Sequence, residues 1–146
     1  MYTPGRSLGL DVGDVRIGVA LSDPRGVVAL PLTVIESASQ EQDVEAIRRI
    51  VEDTGVERIV AGLPLNQEGK PGPQAEKVLT FLDVLRAALD IEVIAQDERF
   101  TTALAERALI EDNVRRKRRK KVVDKIAAQQ ILQTYLDRQA RTHRKP

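Results

Sequence analysis

The chain has 146 residues, 42% of them hydrophobic and 31% charged, which predicts one globular domain over residues 1–146 with a single substantial core. The absence of cysteine excludes disulfides and thiolate zinc sites, and a single histidine argues against a histidine-based metal site or catalytic triad. No apolar run is long enough to span a bilayer, and residues 1–6 lack the apolar stretch of a secretory signal, so we expect a cytoplasmic protein with no membrane partner.

The net charge of +1 conceals two parts of opposite charge. Residues 114–146 carry 12 Lys and Arg but only 2 Asp and Glu, whereas residues 1–113 carry 11 and 20. A basic end on an acidic body predicts a segregated surface that binds anions.

Three apolar runs near the N-terminus predict strands joined by short turns. They cover residues 7–12, 16–22 and 27–35, and Asp, Pro and Gly residues lie between them. This pattern is typical of an antiparallel meander. Pro31 weakens the third run, which indicates a strand at the edge of the sheet.

The middle of the chain alternates helical and strand patterns. Ser39 and Gly55 bound the first predicted helix, and residues 58–63 form a short strand of the buried type. Pro73 begins a second helix, and a fifth strand over residues 91–96 follows it. If the first, fourth and fifth strands lie side by side and parallel, the fold is α/β. It is then a mixed five-stranded sheet, an antiparallel three-strand meander plus two parallel strands, flanked by helices.

The C-terminal third predicts two further helices. Thr101 or Thr102 can cap the third helix, and the fourth covers residues 122–138. From about residue 140 we expect a disordered basic tail.

Three carboxylates stand where a folding chain normally places apolar residues. Asp11 ends the first strand, Glu98 follows the fifth, and Asp124 shares a helical face with Ala127 and Ile131. Burying a carboxylate is costly unless a cation or a donor compensates it. Taken singly, each has an ordinary role in a turn, a salt bridge or a helix dipole. Together, in a chain that offers almost no His or Cys, they favour a site at the carboxyl edge of the parallel strands.

Oxygen ligands of this kind suit hard divalent cations. Mg²⁺ and Mn²⁺ prefer carboxylates, and two such ions about 4 Å apart can hold a scissile phosphate between them. One ion then activates the attacking water and the other stabilises the leaving oxygen, so no protein base is required. We therefore expect Mg²⁺ or Mn²⁺, as two ions, with Asp11, Glu98 and Asp124 as the catalytic and metal-binding residues.

A run of seven consecutive basic residues precedes Asp124 and predicts contacts to nucleic-acid phosphates, although a solvated loop is the plain alternative. Aromatic residues make up only 3% of the chain, so recognition should rest on backbone and shape rather than on base stacking. In the loop over residues 64–72, Asn66 and Lys70 should reach the same sheet edge and are further candidates, unless this is an ordinary flexible loop. The basic run comprises Arg115, Arg116, Lys117, Arg118, Arg119, Lys120 and Lys121.

With these residues in place, the chain resembles the YqgF/RuvX family of bacterial Holliday-junction-resolvase-like proteins, which have the ribonuclease H-like fold. The similarity extends from about residue 7 to residue 137, nearly the whole chain. Its motifs lie in order at residues 8–13, 16–20, 62–66, 97–102 and 121–128.

The resemblance implies that Asp11, Glu98 and Asp124 are the family's acidic triad and that the reaction is phosphodiester hydrolysis with Mg²⁺ or Mn²⁺. The family is generally assigned to maturation of the small-subunit ribosomal RNA precursor, and some members are proposed to cut branched DNA. Asp14 stands where many members have Thr or Lys, which adds negative charge near Asp11 and could alter the affinity for metal or substrate.

Three classes of function remain open. A nuclease that processes the 5′ end of pre-16S rRNA needs one active site, whereas a Holliday junction resolvase acting on branched DNA needs a symmetric dimer. The expected partner is therefore structured RNA or branched DNA, and the protein is a monomer or a homodimer. An ATP-binding protein of the actin and sugar-kinase type also begins with an Asp-x-Gly hairpin, but 146 residues leave no room for its second lobe. A non-catalytic RNA-binding factor would use the basic run and leave the carboxylates unexplained.

Overall fold

The computed structural model describes residues 5–98 and 116–144, with side chains over residues 5–98 and 123–142. The third predicted helix, with its cap at Thr101 or Thr102, lies outside the described residues. The described strands and helices are, in chain order, β1 (Ser7–Val12), β2 (Arg16–Ser22), β3 (Ala29–Glu36), α1 (Gln40–Thr54), β4 (Arg58–Leu63), α2 (Pro73–Ala88), β5 (Glu92–Asp97) and α3 (Arg116–Arg144).

The five strands form one mixed sheet in the order β3-β2-β1-β4-β5. β1 pairs antiparallel with β2, and β2 with β3, whereas β1, β4 and β5 run parallel. This arrangement confirms the predicted meander and the two parallel strands. β3 lies at one edge, where Pro31 pairs with Ala20 and its missing N–H is tolerated. Because β1, β4 and β5 are parallel, their carboxyl ends reach the same edge of the sheet.

Helices α1 and α2 begin and end where the sequence places their caps. The Ser39 hydroxyl accepts a hydrogen bond from the amide of Gln42 at 3.2 Å, and Gly55 ends α1 in the left-handed region with a φ of 68°. Pro73 occupies the first turn of α2, where an N–H would have no partner inside the helix. Both helices then pack their apolar stripes on the same face of the sheet.

Helix α3 is longer than predicted at both ends. The sequence predicts a helix over residues 122–138 and a disordered tail from about residue 140, whereas the helix spans Arg116–Arg144. Arg, Lys and Gln are good helix formers, and neither Gly nor Pro interrupts this segment. Residues 116–121 of the basic run are therefore the first turns of α3 rather than a loop. Among the described residues, no helix is both long and apolar enough to cross a bilayer.

The two faces of the sheet are packed differently. Large aliphatic side chains such as Leu8, Leu10 and Ile59 fill the face under α1 and α2. The face under α3 carries glycines and alanines, so this helix lies directly against the strands. A Cβ atom at Gly9 would lie 2.7 Å from the Cβ of Leu132, which is too close for two carbon atoms. This close approach determines where α3 lies relative to the carboxyl ends of the strands.

Candidate active site

The three carboxylates that stand out in the sequence line one cavity. Asp11 comes from β1, Glu98 directly follows β5, and Asp124 comes from α3. The cavity has a volume of about 260 Å³ and lies at the carboxyl edge of the parallel strands. Side chains from three distant parts of the sequence therefore share one space. The other residues that line it are Val12, Gly13, Asp14, Gly62, Pro64 and Gln74.

Gly18 brings α3 close to the strand pair that carries Asp11. Asp11 and Gly18 are partners across the β1–β2 pair, so they lie on the same face of the sheet. A Cβ atom at Gly18 would overlap the backbone carbonyl of Asp124. The missing side chain lets the helix backbone approach β2, and this approach brings Asp124 to the face on which Asp11 lies.

Glu98 is almost fully buried, with 4% of its surface exposed. Gly62, near the end of β4, makes room for it, because a Cβ atom there would lie 2.6 Å from Glu98 Oε1 and 2.6 Å from Ile131 Cδ1. Burial of a carboxylate is costly unless donors or cations compensate it. The absence of a side chain at Gly62 thus provides the space that the Glu98 side chain occupies.

Asp124 is paired with a cation from its own chain. The Nε atom of Arg16 donates a hydrogen bond to Oδ2 of Asp124 at 2.9 Å, and each side chain is 20% exposed. Arg16 is the first residue of β2 and lies on the same face as Gly18, two residues further along the strand. In the sequence, Arg16 is recognisable only as part of a strand and a motif, because 108 residues separate it from Asp124. The pair is therefore a feature of the site that only the structure reveals.

The donor set suits a hard divalent cation, but the carboxylates are not assembled into a cage. All three are oxygen ligands, as Mg²⁺ and Mn²⁺ prefer, and they line one cavity. Within residues 5–98 and 116–144, however, no group of three His, Cys, Asp or Glu side chains could hold a metal ion as they stand. The guanidinium of Arg16 lies against the carboxylate of Asp124. The residues therefore fit such an ion in chemistry and location, and the side chains would have to converge to bind it.

Asp14 adds a fourth carboxylate at the rim of the cavity. Its side chain is 62% exposed and forms a 3.6 Å ion pair with Lys77 of α2. Exposed pairs of this kind add little stability, but Lys77 offsets part of the negative charge that Asp14 brings near Asp11. Asp14 is thus a solvated neighbour of the site, with a counter-ion supplied by α2.

A larger cleft borders the acidic cavity at the β1–β2 turn. This cleft has a volume of about 590 Å³ and lies between that turn and the N-terminal parts of α1 and α2. The two spaces share Val12, Gly13, Asp14 and Gln74. The carboxylates therefore lie next to a second, larger space, and Val12, Gly13, Asp14 and Gln74 form the boundary between the two.

The predicted nucleic-acid-binding residues lie in the loop after β4 and in the basic run before Asp124. Asn66 Oδ1 accepts hydrogen bonds from the amides of Glu68 and Lys70, each at 2.9 Å, so this oxygen closes its own loop. Neither Asn66 nor Lys70 is among the described residues that line the two spaces. The backbone of residues 116–121 ends less than one helical turn before Asp124. Arg115 lies outside the described residues, as do the side chains of Arg116, Lys117, Arg118, Arg119, Lys120 and Lys121.

Solved structures that share this architecture include two junction-resolving enzymes. T. thermophilus RuvC in complex with a Holliday junction substrate superposes with a TM-score of 0.58 at 12% identity, over 92% of this chain and 96% of that chain. The fowlpox virus resolvase in complex with Holliday junction DNA gives a TM-score of 0.55 at 11% identity, over 92% and 98%. At such low identities the similarity shows the fold alone. The fold is ribonuclease H-like, as the family resemblance implies.

Sequence similarity defines the family. The chain matches the family profile described as "RuvX: Holliday junction resolvase" over residues 5–138, and it belongs to this family. A relative from Desulforudis audaxviator is 53% identical over 132 residues, which cover 90% of this chain and 94% of the relative. A relative from Clostridium botulinum is 50% identical over 132 residues, which cover 90% and 96%. Both are named as candidate pre-16S rRNA nucleases. This protein is accordingly a nuclease, and the predicted family is confirmed.

Proposed function

We propose that this nuclease uses divalent metal ions, Mg²⁺ or Mn²⁺, to process the 5′ end of pre-16S rRNA in the cytoplasm, with residues 1–146 acting as one nuclease domain. The observation that carries the proposal is the cavity that Asp11, Glu98 and Asp124 share at the carboxyl edge of the sheet. The three proposed ligands all offer oxygen atoms, and the basic residues that begin α3 directly precede Asp124. Both features fit the hydrolysis of a phosphodiester.

Asp11, Glu98 and Asp124 would hold the ions as catalytic ligands. When bound, two ions of this type activate a water molecule and stabilise the leaving oxygen. Asp11 and Asp124 approach the cavity from a strand and from a helix that meet at Gly18. Glu98 approaches from the buried side, where low solvent access strengthens the attraction between a carboxylate and a cation. The contribution of the chain is to fix these ligands and to exclude water from one side of the cavity.

The proposed substrate is structured RNA, bound mainly through its phosphates. The two relatives named as candidate pre-16S rRNA nucleases share 53% and 50% identity with this chain, which favours the same substrate here. The basic run from Arg115 to Lys121 precedes Asp124 by less than one turn, so phosphates bound by it would lie near the cavity. Lys70, and Asn66 through its NH₂ group, stay proposed contacts in the loop after β4. One active site suffices for this reaction, so a monomer can perform it.

A Holliday junction resolvase is the second candidate. The description of the family names this activity, and the fold is shared with RuvC. Resolution requires two coordinated cuts and therefore a symmetric homodimer. RNA processing is the favoured function because the relatives that support it are at least 50% identical to this chain, whereas the RuvC structure is 12% identical.

A side-by-side cleavage assay separates the two candidates. An RNA that spans the 5′ end of 16S rRNA in its precursor, and a four-way DNA junction, are each incubated with the full chain and Mg²⁺, Mn²⁺ or EDTA. We expect metal-dependent cutting of the RNA and little cutting of the junction. Cutting of the junction alone by a stable dimer would favour the resolvase, and cutting in EDTA would contradict the metal site.

Asp11→Asn should abolish cleavage, lowering kcat by about a thousandfold or more, because it removes one charged ligand from the cavity. RNA binding, measured by mobility shift without metal, should stay unchanged or tighten, since one repulsive charge is gone. Asp14→Asn is the matched control, because Asp14 lines the same cavity but is exposed and paired with Lys77. The control should keep its activity within about tenfold. Undiminished cleavage by a rigorously purified Asp11→Asn protein would refute the active-site assignment.

A further inference from the structure

The ion pair between Arg16 and Asp124 lies at the proposed metal site, and β2 fixes both partners. The backbone carbonyl of Arg16 accepts a hydrogen bond from the amide of Gly13 at 3.0 Å, which closes the β1–β2 turn. Arg16 also pairs with Glu36 in the ladder between β2 and β3. The backbone of Asp124 rests on Gly18, so the helix cannot move closer or turn without disturbing this contact. The sheet therefore fixes the backbones of both partners, and both side chains are only 20% exposed, unlike those of a surface pair between two long solvated side chains.

We propose that Arg16 is a positioning residue that serves as a built-in counter-ion: it holds the carboxylate of Asp124 in the metal-free protein and gives way when a divalent cation binds. This proposal rests on the proposed function, since it takes Asp124 as a metal ligand. Oδ2 of Asp124 accepts the Nε–H of Arg16, so a metal ion has to displace the guanidinium to use that position on the oxygen. Because a guanidinium stays protonated across the pH range of proteins, the exchange is a competition between two cations and not a proton switch.

The counter-ion explains why the carboxylates share a cavity without forming a cage. Asp11, Glu98 and Asp124 line one space of about 260 Å³, yet in the described part of the chain no three such groups could hold an ion as they stand. Like charges in a small space repel each other, and this repulsion favours separated side chains. Arg16 neutralises one of them and draws it toward β2. A divalent cation in its place would attract the carboxylates and let them converge.

A counter-ion and a purely structural salt bridge predict opposite effects on metal binding. If Arg16 only stabilised the fold or oriented Asp124 for the ion, its removal would leave metal affinity unchanged or weaken it. If Arg16 competes with the ion, its removal frees the carboxylate of Asp124 from the guanidinium, so that this carboxylate binds a divalent cation more tightly. The metal-free protein should at the same time become less stable, and bound metal should restore more stability than it adds to the wild type.

Titration calorimetry of the full chain with Mn²⁺ tests this proposal. Arg16→Gln should tighten the Kd for Mn²⁺ about three- to tenfold and lower the Tm of the metal-free protein. Saturating Mn²⁺ should then raise its Tm by more than it raises that of the wild type. Arg86→Gln is the matched control, because it removes the same charge from a 3.0 Å pair with Asp83 and Arg86 does not line the cavity. In the control, the Kd should change by less than about twofold.

Three variants test the counter-ion role. A Kd for Arg16→Gln that is weaker than that of the wild type, or within about twofold of the Arg86→Gln control, would overturn it. If Arg16→Gln does not fold, Arg16→Met decides by the same criterion, because it also removes the charge but keeps much of the length of the aliphatic stem. Asp124→Asn separates this proposal from the proposed function. Unchanged Mn²⁺ binding by Asp124→Asn would refute the metal site and, with it, the counter-ion role of Arg16. Weakened binding would support Asp124 as a metal ligand, and the comparison of the Arg16 variants depends on that assignment.

Discussion

The two faces of the sheet meet different requirements. The face under α1 and α2 is filled with large aliphatic side chains, among them the fully buried Leu10, Ile47 and Leu82. The face under α3 carries glycines and alanines along the strands and acidic groups at their carboxyl edge. The first face gains stability from buried apolar area, whereas the second gives up packing volume so that a helix can bring Asp124 against the strands. The difference indicates that one sheet separates the main core from the proposed chemistry.

Hydrogen bonds compensate for the small residues under α3. Gln96 of β5 donates to the carbonyl of Ile131 at 2.8 Å. At the other edge, Gln133 accepts from the amide of Ala29 at 2.8 Å, and Gln129 donates to the carbonyl of the same residue at 3.0 Å. These directional bonds add to the apolar contacts of Ile131 and Leu132 in holding the helix on the sheet. The face that carries the site is thus held by polar contacts as well as by apolar packing.

The largest expected effect tests whether the faces are separable. Leu82→Ala removes a fully buried side chain from α2 and should lower the free energy of unfolding by about 2–5 kcal/mol, through lost apolar burial and the cavity left behind. The affinity of the folded protein for Mn²⁺ should stay within about twofold, because this side chain packs on the face opposite the carboxylates. Urea unfolding and titration calorimetry measure the two quantities. A marked loss of Mn²⁺ affinity would show that the faces are coupled.

The elements that form the aliphatic face can be predicted from the sequence, because their hydrophobic periodicity and their capping residues indicate the same secondary structure. β1, β2 and β4 have their predicted bounds, and β5 is displaced by one residue. Ser39, Gly55 and Pro73 mark helix ends through local backbone chemistry that does not depend on the rest of the fold. The ends of α3 escape prediction because Lys and Arg favour a helix as well as a solvated segment, so charge alone does not mark a boundary.

The features of the face under α3 can be predicted from the sequence only in part. Asp11, Glu98 and Asp124 stand out because each follows or interrupts an apolar pattern. The pairing of Arg16 depends on how a helix crosses a strand that lies 108 residues away, and no local pattern encodes that crossing. The sequence does offer one signal for it, since a glycine inside a strand, such as Gly18, often marks a close backbone approach.

A smaller effect on stability is expected from a substitution at the acidic cavity. Gly62→Ala should lower the free energy of unfolding by about 1–3 kcal/mol, because its methyl group would lie 2.6 Å from Glu98 Oε1 and from Ile131 Cδ1. It should also weaken Mn²⁺ binding and cleavage, because Glu98 has to move away. Gly72→Ala is the matched control, since a Cβ atom there meets nothing within 4 Å and the φ of −94° suits any residue. The control should change stability by at most about 1 kcal/mol and leave Mn²⁺ binding unaltered. Similar behaviour of the two variants would show that the space beside Glu98 is dispensable.

Asp23 provides the reference for a carboxylate with a structural role. It lies in the turn between β2 and β3, where Oδ1 accepts hydrogen bonds from the amides of Val27 at 2.7 Å and Val28 at 2.9 Å. The bond from Val28 has the largest effect, and together these donors hold the pKa of Asp23 below its ordinary value. Backbone donors satisfy this charge, whereas the proposed function requires cations at the carboxylates of the cavity.

The smallest expected effect follows from that depressed pKa. Because the folded-state pKa of Asp23 lies below the unfolded value, its contribution to stability is present above the unfolded pKa and is lost as the pH falls through the folded one. Asp23→Asn keeps an oxygen that can accept both hydrogen bonds but removes the charge. At pH 7 it should therefore cost less than about 1 kcal/mol, and the difference from wild type should vanish in strong acid. Urea unfolding of both proteins between pH 7 and pH 2 measures this convergence. Saturating Mn²⁺ should leave the difference at pH 7 unchanged, because the Asp23 turn lies at the end of β2 far from the carboxyl edge of β1, where the ions are proposed to bind. A difference that depends on Mn²⁺ would mean that carboxylates outside the α3 face also take part in metal binding.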